Sequence, residues 1–273
     1  MARKQSKENL PPKQRFMNGF RIISGSRNYY EVWHDLMELY SLSILNTCTK
    51  QMFAGSKQLE SLWNARESRY LQTINKYSKQ NQKIISQMFA MLVLELERNP
   101  DQDLLGSIYM ELGISSSNAG QFFTPYSICK LMSGISFDKK QIAKQVHEVG
   151  FVSVNDSACG AGATLIAAAM ECASMFKRLN YQNHIYFVAN DVDRLCCMMC
   201  YIQLSLLGVA GIVTCNNTLT HPDVDFWKEP NNVYFTPIYL SDVWTLRRFL
   251  HGYDIMFHKA VNGLQSNKVA EDA

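Results

Sequence analysis

The sequence predicts an α/β fold, a helical N-terminal region followed by a parallel sheet with helices packed on it. Three observations predict it. The stretch FVSVNDSACGAG at 151–162 places a short β-branched run before Asp156, then Gly160 and Gly162, then the helix-forming run LIAAAMECASMF. Some thirty residues later IYFVAND reads as a second strand that ends in Asp191. GIVTCNNTL and NVYFTPIY then read as a third and a fourth strand. Strands alternating with helices argue for a parallel sheet whose ligands gather at the carboxyl ends of the strands.

The first of these stretches organises the rest. A buried strand, a glycine turn and a helix N-terminus make a cradle for a nucleotide-like cofactor, because glycine admits close backbone approach and the first helical turn carries unpaired N–H donors. A lone G-x-G also fits a strand–turn–helix with no ligand at all. Asp191 adds a second feature in register, since an acidic residue ending the second strand of a βαβ unit accepts hydrogen bonds from a ribose. Together they predict a Rossmann-like adenosine site.

The elements before the sheet follow from pattern. Residues 1–26 read as a flexible basic segment: Arg3, Lys4, Lys7, Lys13 and Arg15 face only Glu8 in the first fifteen residues, and Pro11 and Pro12 punctuate it. Such a tail either touches phosphates or stays solvated. Residues 27–119 read as a helical domain. Val32, Leu36, Leu39 and Ile44 recur at helical spacing within a helix from Tyr29 to Cys48, and Leu59, Leu62 and Trp63 share one face of a helix from Ser56 to Tyr77. A helix from Gln82 to Arg98 is apolar on most sides and is expected at the centre of the packing. Asn99-Pro100-Asp101 stops it, and DLLGSIYMEL forms a short helix closed by Gly113. Residues 120–273 then read as the α/β domain, opening with GQFFTP at 120–125 and the helix YSICKLMSGI.

Composition bounds the classes. The 273 residues are 47% hydrophobic and 19% charged, ordinary values for a globular chain. No apolar run approaches the ~20 residues that span a bilayer, and the basic N-terminus lacks the apolar core of a secretory signal. Eight cysteines without framework spacing fit a reducing, cytoplasmic setting. Cys196, Cys197 and Cys200 cluster in an apolar helix with no second CxxC or histidine pair, so they read as buried small hydrophobes and no metal site is expected. The net charge of +3 is too small by itself to indicate nucleic acid.

The order of motifs resembles the N-6 adenine DNA methyltransferases, in particular the modification subunit of type I restriction systems. GQFFTP looks like the family's first cofactor motif, DSACGAG its D-P-x-C-G-x-G turn with Ser157 for proline, AND at 189–191 the end of its second strand, and NNTL at 216–219 its G-D-T-L segment. The resemblance covers roughly residues 100–240, and the preceding DLLG is also similar. It implies an S-adenosylmethionine-dependent methyltransferase domain, shortened at its C-terminus. It further implies that Gln121, Phe122, Phe123 and Thr124 border the cofactor and that Asp156 fixes the turn and reaches the methionine ammonium. Gly160, Ala161 and Gly162 would line its path, Asp191 would bind the ribose hydroxyls, and Asn217 would stand at the adenine edge.

The family's catalytic loop is N-P-P-Y/F after the fourth strand, whose carbonyls hold the exocyclic amine of a flipped adenine while the aromatic ring stacks on the base. Its positional counterpart is Thr236-Pro237-Ile238-Tyr239. Thr236 offers a hydroxyl for the asparagine amide, Pro237 keeps a carbonyl and Tyr239 a ring, which makes these three the catalytic candidates.

Three function classes stay open on the sequence. One is methyl transfer to adenine in DNA with a partner that finds the target. The second is cofactor binding without transfer, in a regulatory or anti-restriction role. The third is a helical interaction protein. A small sheet with an open edge and the apolar helix from Ile84 to Leu96 lead us to expect a protein partner or a homo-oligomer.

Overall fold

A computed structural model describes residues 10–52, 56–114, 123–175, 180–222 and 224–251. Seven helices precede the sheet: α1 (Pro12–Ser24), α2 (Tyr29–Met52), α3 (Lys57–Ile74), α4 (Lys79–Arg98), α5 (Leu104–Glu111), α6 (Tyr126–Ser136) and α7 (Lys139–Val149). The sheet follows as β1 (Val152–Asp156), α8 (Ala163–Met175), α9 (Tyr181–His184), β2 (Ile185–Asp191), α10 (Arg194–Leu206), β3 (Ala210–Cys215), β4 (Val233–Phe235) and α11 (Asp242–His251).

Two helices depart from the sequence reading. Residues 12–24 are not a flexible segment but α1, with Pro12 in its first turn, where a missing N–H costs nothing. Phe16, Met17, Phe20 and Ile23 of α1 are buried, an apolar stripe too short to stand out beside the flanking basic residues. The second, α7, fills the stretch between α6 and β1. Asp138 caps it by accepting from Gln141 N at 2.8 Å, and Gly150 closes it, signals that were present in DKKQIAKQVHEVG.

The packing around α1 also relocates the centre of the helical region. Helix α4 buries one stripe only (Ile85, Met88, Leu92, Leu96) and exposes Leu94. That stripe is already covered by α1, whose Gly19 comes so near that a Cβ there would lie 2.7 Å from Met88 Cγ. The buried stripe of the apolar run from Ile84 to Leu96 thus faces α1, while Leu94 stays exposed. The centre is α2, buried on most sides through Val32, Trp33, Leu36, Met37, Leu39 and Tyr40. Trp33 stacks edge-on against Phe16 and Phe20 at 6.1 and 5.7 Å and lies 6.0 Å from Tyr109 of α5. The same apolar core continues through α10 and α8 to one face of the sheet (Val152, Ile185, Phe187, Val213, Tyr234).

The sheet order is β1-β2-β3-β4. Strands β1, β2 and β3 are parallel, joined through α8 and α10, but β4 pairs antiparallel with β3, Phe235 opposite Ile212 and Val233 opposite Thr214. The sequence predicted a fourth parallel strand. A parallel return needs a crossover, usually helical, that carries the chain back to the starting edge. Residues 216–222 and 224–232 form turns instead, with Asn217 and Asp225 accepting from backbone N–H groups just ahead of them. The chain therefore leaves β3 and enters β4 at the same edge. The second face of the sheet packs Phe151, Ile212, Phe235, Tyr239 and Trp244 together with Leu59 of α3. No helix among the described residues is long and apolar enough to cross a membrane.

Candidate cofactor site

At the carboxyl ends of β1 and β2 the glycine turn is held by backbone bonds that its own residues cannot choose alone. Cys159 N donates to Asn190 O at 2.8 Å, Gly162 N to Cys159 O at 2.8 Å, and Gly160 N to Asp191 Oδ2 at 2.8 Å. Gly160 and Gly162 both adopt left-handed backbone, φ 53° and 96°. A Cβ on Gly160 would stand 3.1 Å from the Phe123 ring, and one on Gly162 would stand 3.0 Å from Cys200 Sγ. The turn thus needs glycine for conformation and for space.

A cavity of about 270 Å³ opens beside this turn, lined by Phe123, Thr124, Cys159, Gly160, Ala161 and Asp191, with Thr164 and Cys196 completing the wall. That is near the lower end of the roughly 300–1,000 Å³ of small-molecule sites. Asp191 Oδ1 accepts from Asp193 N at 2.9 Å and Oδ2 from Gly160 N, so each oxygen keeps a lone pair for a hydroxyl donor. Asp193 in turn caps α10, accepting from Leu195 N at 2.6 Å. The donor set suits a ligand with vicinal hydroxyls against Asp191 and an apolar edge against Phe123 and Cys196.

The structure brings together Phe123, Thr124, Gly160, Ala161 and Asp191. Gln121 and Phe122 lie outside the described residues. Asp156 is not among the residues lining the cavity; its carboxylate accepts from Ala158 N at 3.1 Å and from the Thr164 hydroxyl. Gly162 also supports the turn from behind. Asn217 is exposed and outside the cavity, and its amide oxygen accepts from Leu219 N at 3.0 Å within its own turn.

The catalytic assignment of Thr236, Pro237 and Tyr239 is corrected by strand direction. Thr236 lies opposite Gly211, receiving Gly211 N on its Oγ1 at 2.9 Å and donating its own N–H to Gly211 O at 3.1 Å. Asp191, by contrast, is level with Cys215, four residues further along β3, which is roughly 13 Å. Because β4 is antiparallel, TPIY falls at the amino edge of the sheet, away from the glycine turn. Tyr239 is only 2% exposed, its ring stacked on Phe235 at 5.4 Å and Tyr186 at 5.7 Å with the Arg248 guanidinium 4.1 Å from its centre. It is a core residue and offers no ring to a base.

Other residues matter that the sequence reading passed over. Gln203 of α10 is fully buried and joins three segments: Oε1 accepts from Leu105 N at 3.0 Å, and Nε2 donates to Asp103 Oδ1 and to Ala161 O, both at 2.8 Å. The DLLG segment is thereby fastened to the glycine turn. Tyr109 continues the aromatic chain to Phe123 at 5.6 Å. Asp101 accepts from Tyr126 Oη at 2.8 Å and pairs with Lys130 at 2.5 Å, anchoring the start of α6 just beyond Phe123 and Thr124. A glutamine in an apolar helix and a threonine eight residues past an aspartate carry no local sequence signal.

The N-6 DNA methylase family model matches residues 101–268. The chain belongs to the N-6 DNA methylase family. Among solved structures it is similar to the type I restriction-modification system methyltransferase subunit from Streptococcus thermophilus, at 16% identity and a TM-score of 0.43. The match covers 80% of this chain and 60% of that one, so the chain spans about 60% of that subunit's length. No curated protein matches the chain. The glycine turn and Asp191 both lie within the residues that the family model matches.

The five cysteines around the turn differ in chemistry. The Cys200 thiol against it and then burial raise Cys159 well above the ordinary thiol range, and burial does the same for Cys196. Cys215 moves the other way, to about 7, because the Cys197 thiol faces it and the Arg194 guanidinium lies nearby. A thiolate, not a thiol, is alkylated. Iodoacetamide near neutral pH will therefore label Cys215 ahead of the other described cysteines, all of them buried, with a midpoint near pH 7. Peptide mapping that finds another of these labelled first would contradict the assignment.

Proposed function

We propose that this chain binds S-adenosylmethionine in the cavity between Phe123 and Asp191 and acts as the methyl-donor half of an N-6 adenine DNA methyltransferase. The observation that carries the reading is the cradle itself: Gly160 leaves space that a Cβ would close, and Asp191 presents lone pairs beside it. The bound cofactor supplies an electrophilic methyl group. Asp191 would accept from the ribose hydroxyls, Phe123 and Cys196 would flank the adenine or sulfonium edge, and the first turn of α8 would face the carboxylate.

The acceptor amine needs carbonyl partners and a stacking ring, a task of positioning and electrostatics. The described residues beside the cavity include no such set, and TPIY stands at the other edge of the sheet. In this reading a partner, a second copy or residues beyond those described supply the acceptor site, DNA is the substrate, and the partner finds the target. The displacement of TPIY specifically favours a second reading, a cofactor-bound regulator that transfers no methyl group.

Calorimetry with S-adenosylmethionine tests the first step, and incubation with tritiated cofactor, DNA and RNA tests the second. Binding followed by label in N-6-methyladenine is the expected outcome when the partner is present. Binding without label on any nucleic acid or with any candidate partner supports the regulator. Absence of binding by the folded chain ends both.

A further inference from the structure

On the far side of the first turn of α10 from the cofactor cavity, three guanidinium groups line one narrow cleft. Arg66 and Arg69 come from α3 and Arg194 from α10, with Glu38 as the acidic residue among the lining side chains. Arg66 is 4% exposed. It donates from Nη1 to Thr49 Oγ1 at 3.0 Å and from Nη2 to Pro230 O at 2.7 Å. Burial lowers its pKa, yet a guanidinium keeps its charge in proteins.

Among the described residues no carboxylate pairs with Arg66 or with Arg194. Arg194 donates to Asn231 O at 2.8 Å, Asn232 Oδ1 at 2.6 Å and Tyr234 Oη at 3.2 Å, all neutral acceptors. Glu38 is already paired with Arg69, and its second oxygen takes the Thr73 hydroxyl at 2.7 Å. Three positive groups thus meet one negative group in a partly desolvated cleft. A buried charge without a counter-ion is expensive, and among the described residues the acceptors of Arg66 and Arg194 are neutral. The water-accessible space is about 20 Å³, which admits an oxygen-sized group and excludes a whole nucleotide. Converging guanidinium forks suit a tetrahedral oxyanion.

We propose that this cleft binds a phosphate group, with Arg66 at its floor and Arg69 and Arg194 at its mouth. Helix α10 sets Cys196 on the cofactor cavity and Arg194 and Met198 on the cleft, so about one helix diameter, roughly 10–12 Å, separates the two. That spacing assigns the phosphate to a nucleic-acid backbone lying across the carboxyl end of β2. The source of the phosphate rests on the proposed function, whereas the site does not. Free phosphate is the other source of the same chemistry.

The test measures thermal unfolding in inorganic phosphate against chloride at matched ionic strength, and in parallel the salt dependence of binding to a short DNA duplex, both without cofactor. Wild type should gain melting temperature in phosphate. Arg69→Gln and Arg194→Gln, folded by circular dichroism, should each lose most of that gain. These two variants decide the matter even if Arg66→Gln does not fold. A fall of about 1 in the salt slope for Arg194→Gln identifies the backbone phosphate. An unchanged slope with the phosphate response lost identifies free phosphate and still supports the site. No stabilisation of wild type by phosphate, or an equal response in every variant, overturns it and leaves the arginines as a structural clamp. Since neither arm contains S-adenosylmethionine, that failure is distinct from a failure of the cofactor reading.

Discussion

Asp191→Ala is expected to lower S-adenosylmethionine affinity by roughly 5- to 150-fold, the equivalent of the ~1–3 kcal/mol lost when a buried polar partner is removed. The carboxylate acts twice. It accepts from Gly160 N at 2.8 Å and Asp193 N at 2.9 Å, so it shapes the turn and the start of α10, and its remaining lone pairs face the cavity. Alanine strips acceptors from two backbone donors and from the ribose together. Asp191→Asn keeps one oxygen but turns an NH2 toward a second N–H donor, so it should fall between wild type and alanine. Calorimetry on variants shown to be folded provides the measurement. An alanine variant that binds as tightly as wild type would remove Asp191 from the site.

Trp33→Ala is expected to destabilise the chain by about 3–5 kcal/mol, the range for deleting a large buried aromatic side chain. Trp33 is 0% exposed and touches Phe16 and Phe20 of α1 and Tyr109 of α5. Its removal opens a cavity where three helices meet. Its indole Nε1–H is buried without a hydrogen-bond partner among the described residues, so Trp33→Phe sacrifices volume but no polar contact and should cost much less. Because Tyr109 carries the aromatic contact on to Phe123 over Gly160, the alanine variant should also bind cofactor more weakly while still folded. Urea midpoints for the two variants provide the comparison. Equal losses would show that the ring's packing is not what holds α1, α2 and α5 together.

Several of these features were legible in the chain itself. Gly160 and Gly162 mark a tight turn because glycine adopts left-handed backbone more readily than any other residue, and the β-branched run before them reads as the strand of that unit. Asp191 at the end of IYFVAND follows from period and length. The α1 stripe was present as Phe16, Met17, Phe20 and Ile23, but its meaning depends on α4 arriving some seventy residues later to cover it. Gln203 had no local signature, since its three partners come from α5 and the glycine turn.

What the sequence determined by itself is local: the strand–glycine–helix units, the acidic end of β2, and family membership through motifs whose order survives distance. Periodicity and backbone conformation act over a few residues, so those residues suffice to specify them. What only the tertiary structure decided is direction and juxtaposition. The turns at 216–222 and 224–232 return the chain to the edge it left, β4 runs antiparallel, and Tyr239 becomes core at the far edge of the sheet instead of a platform beside the cofactor. The unpaired charge of Arg66 likewise exists only where α3, α10 and the loop at Pro230 meet, because a strand's direction and a charge's isolation depend on segments distant in sequence and adjacent in space.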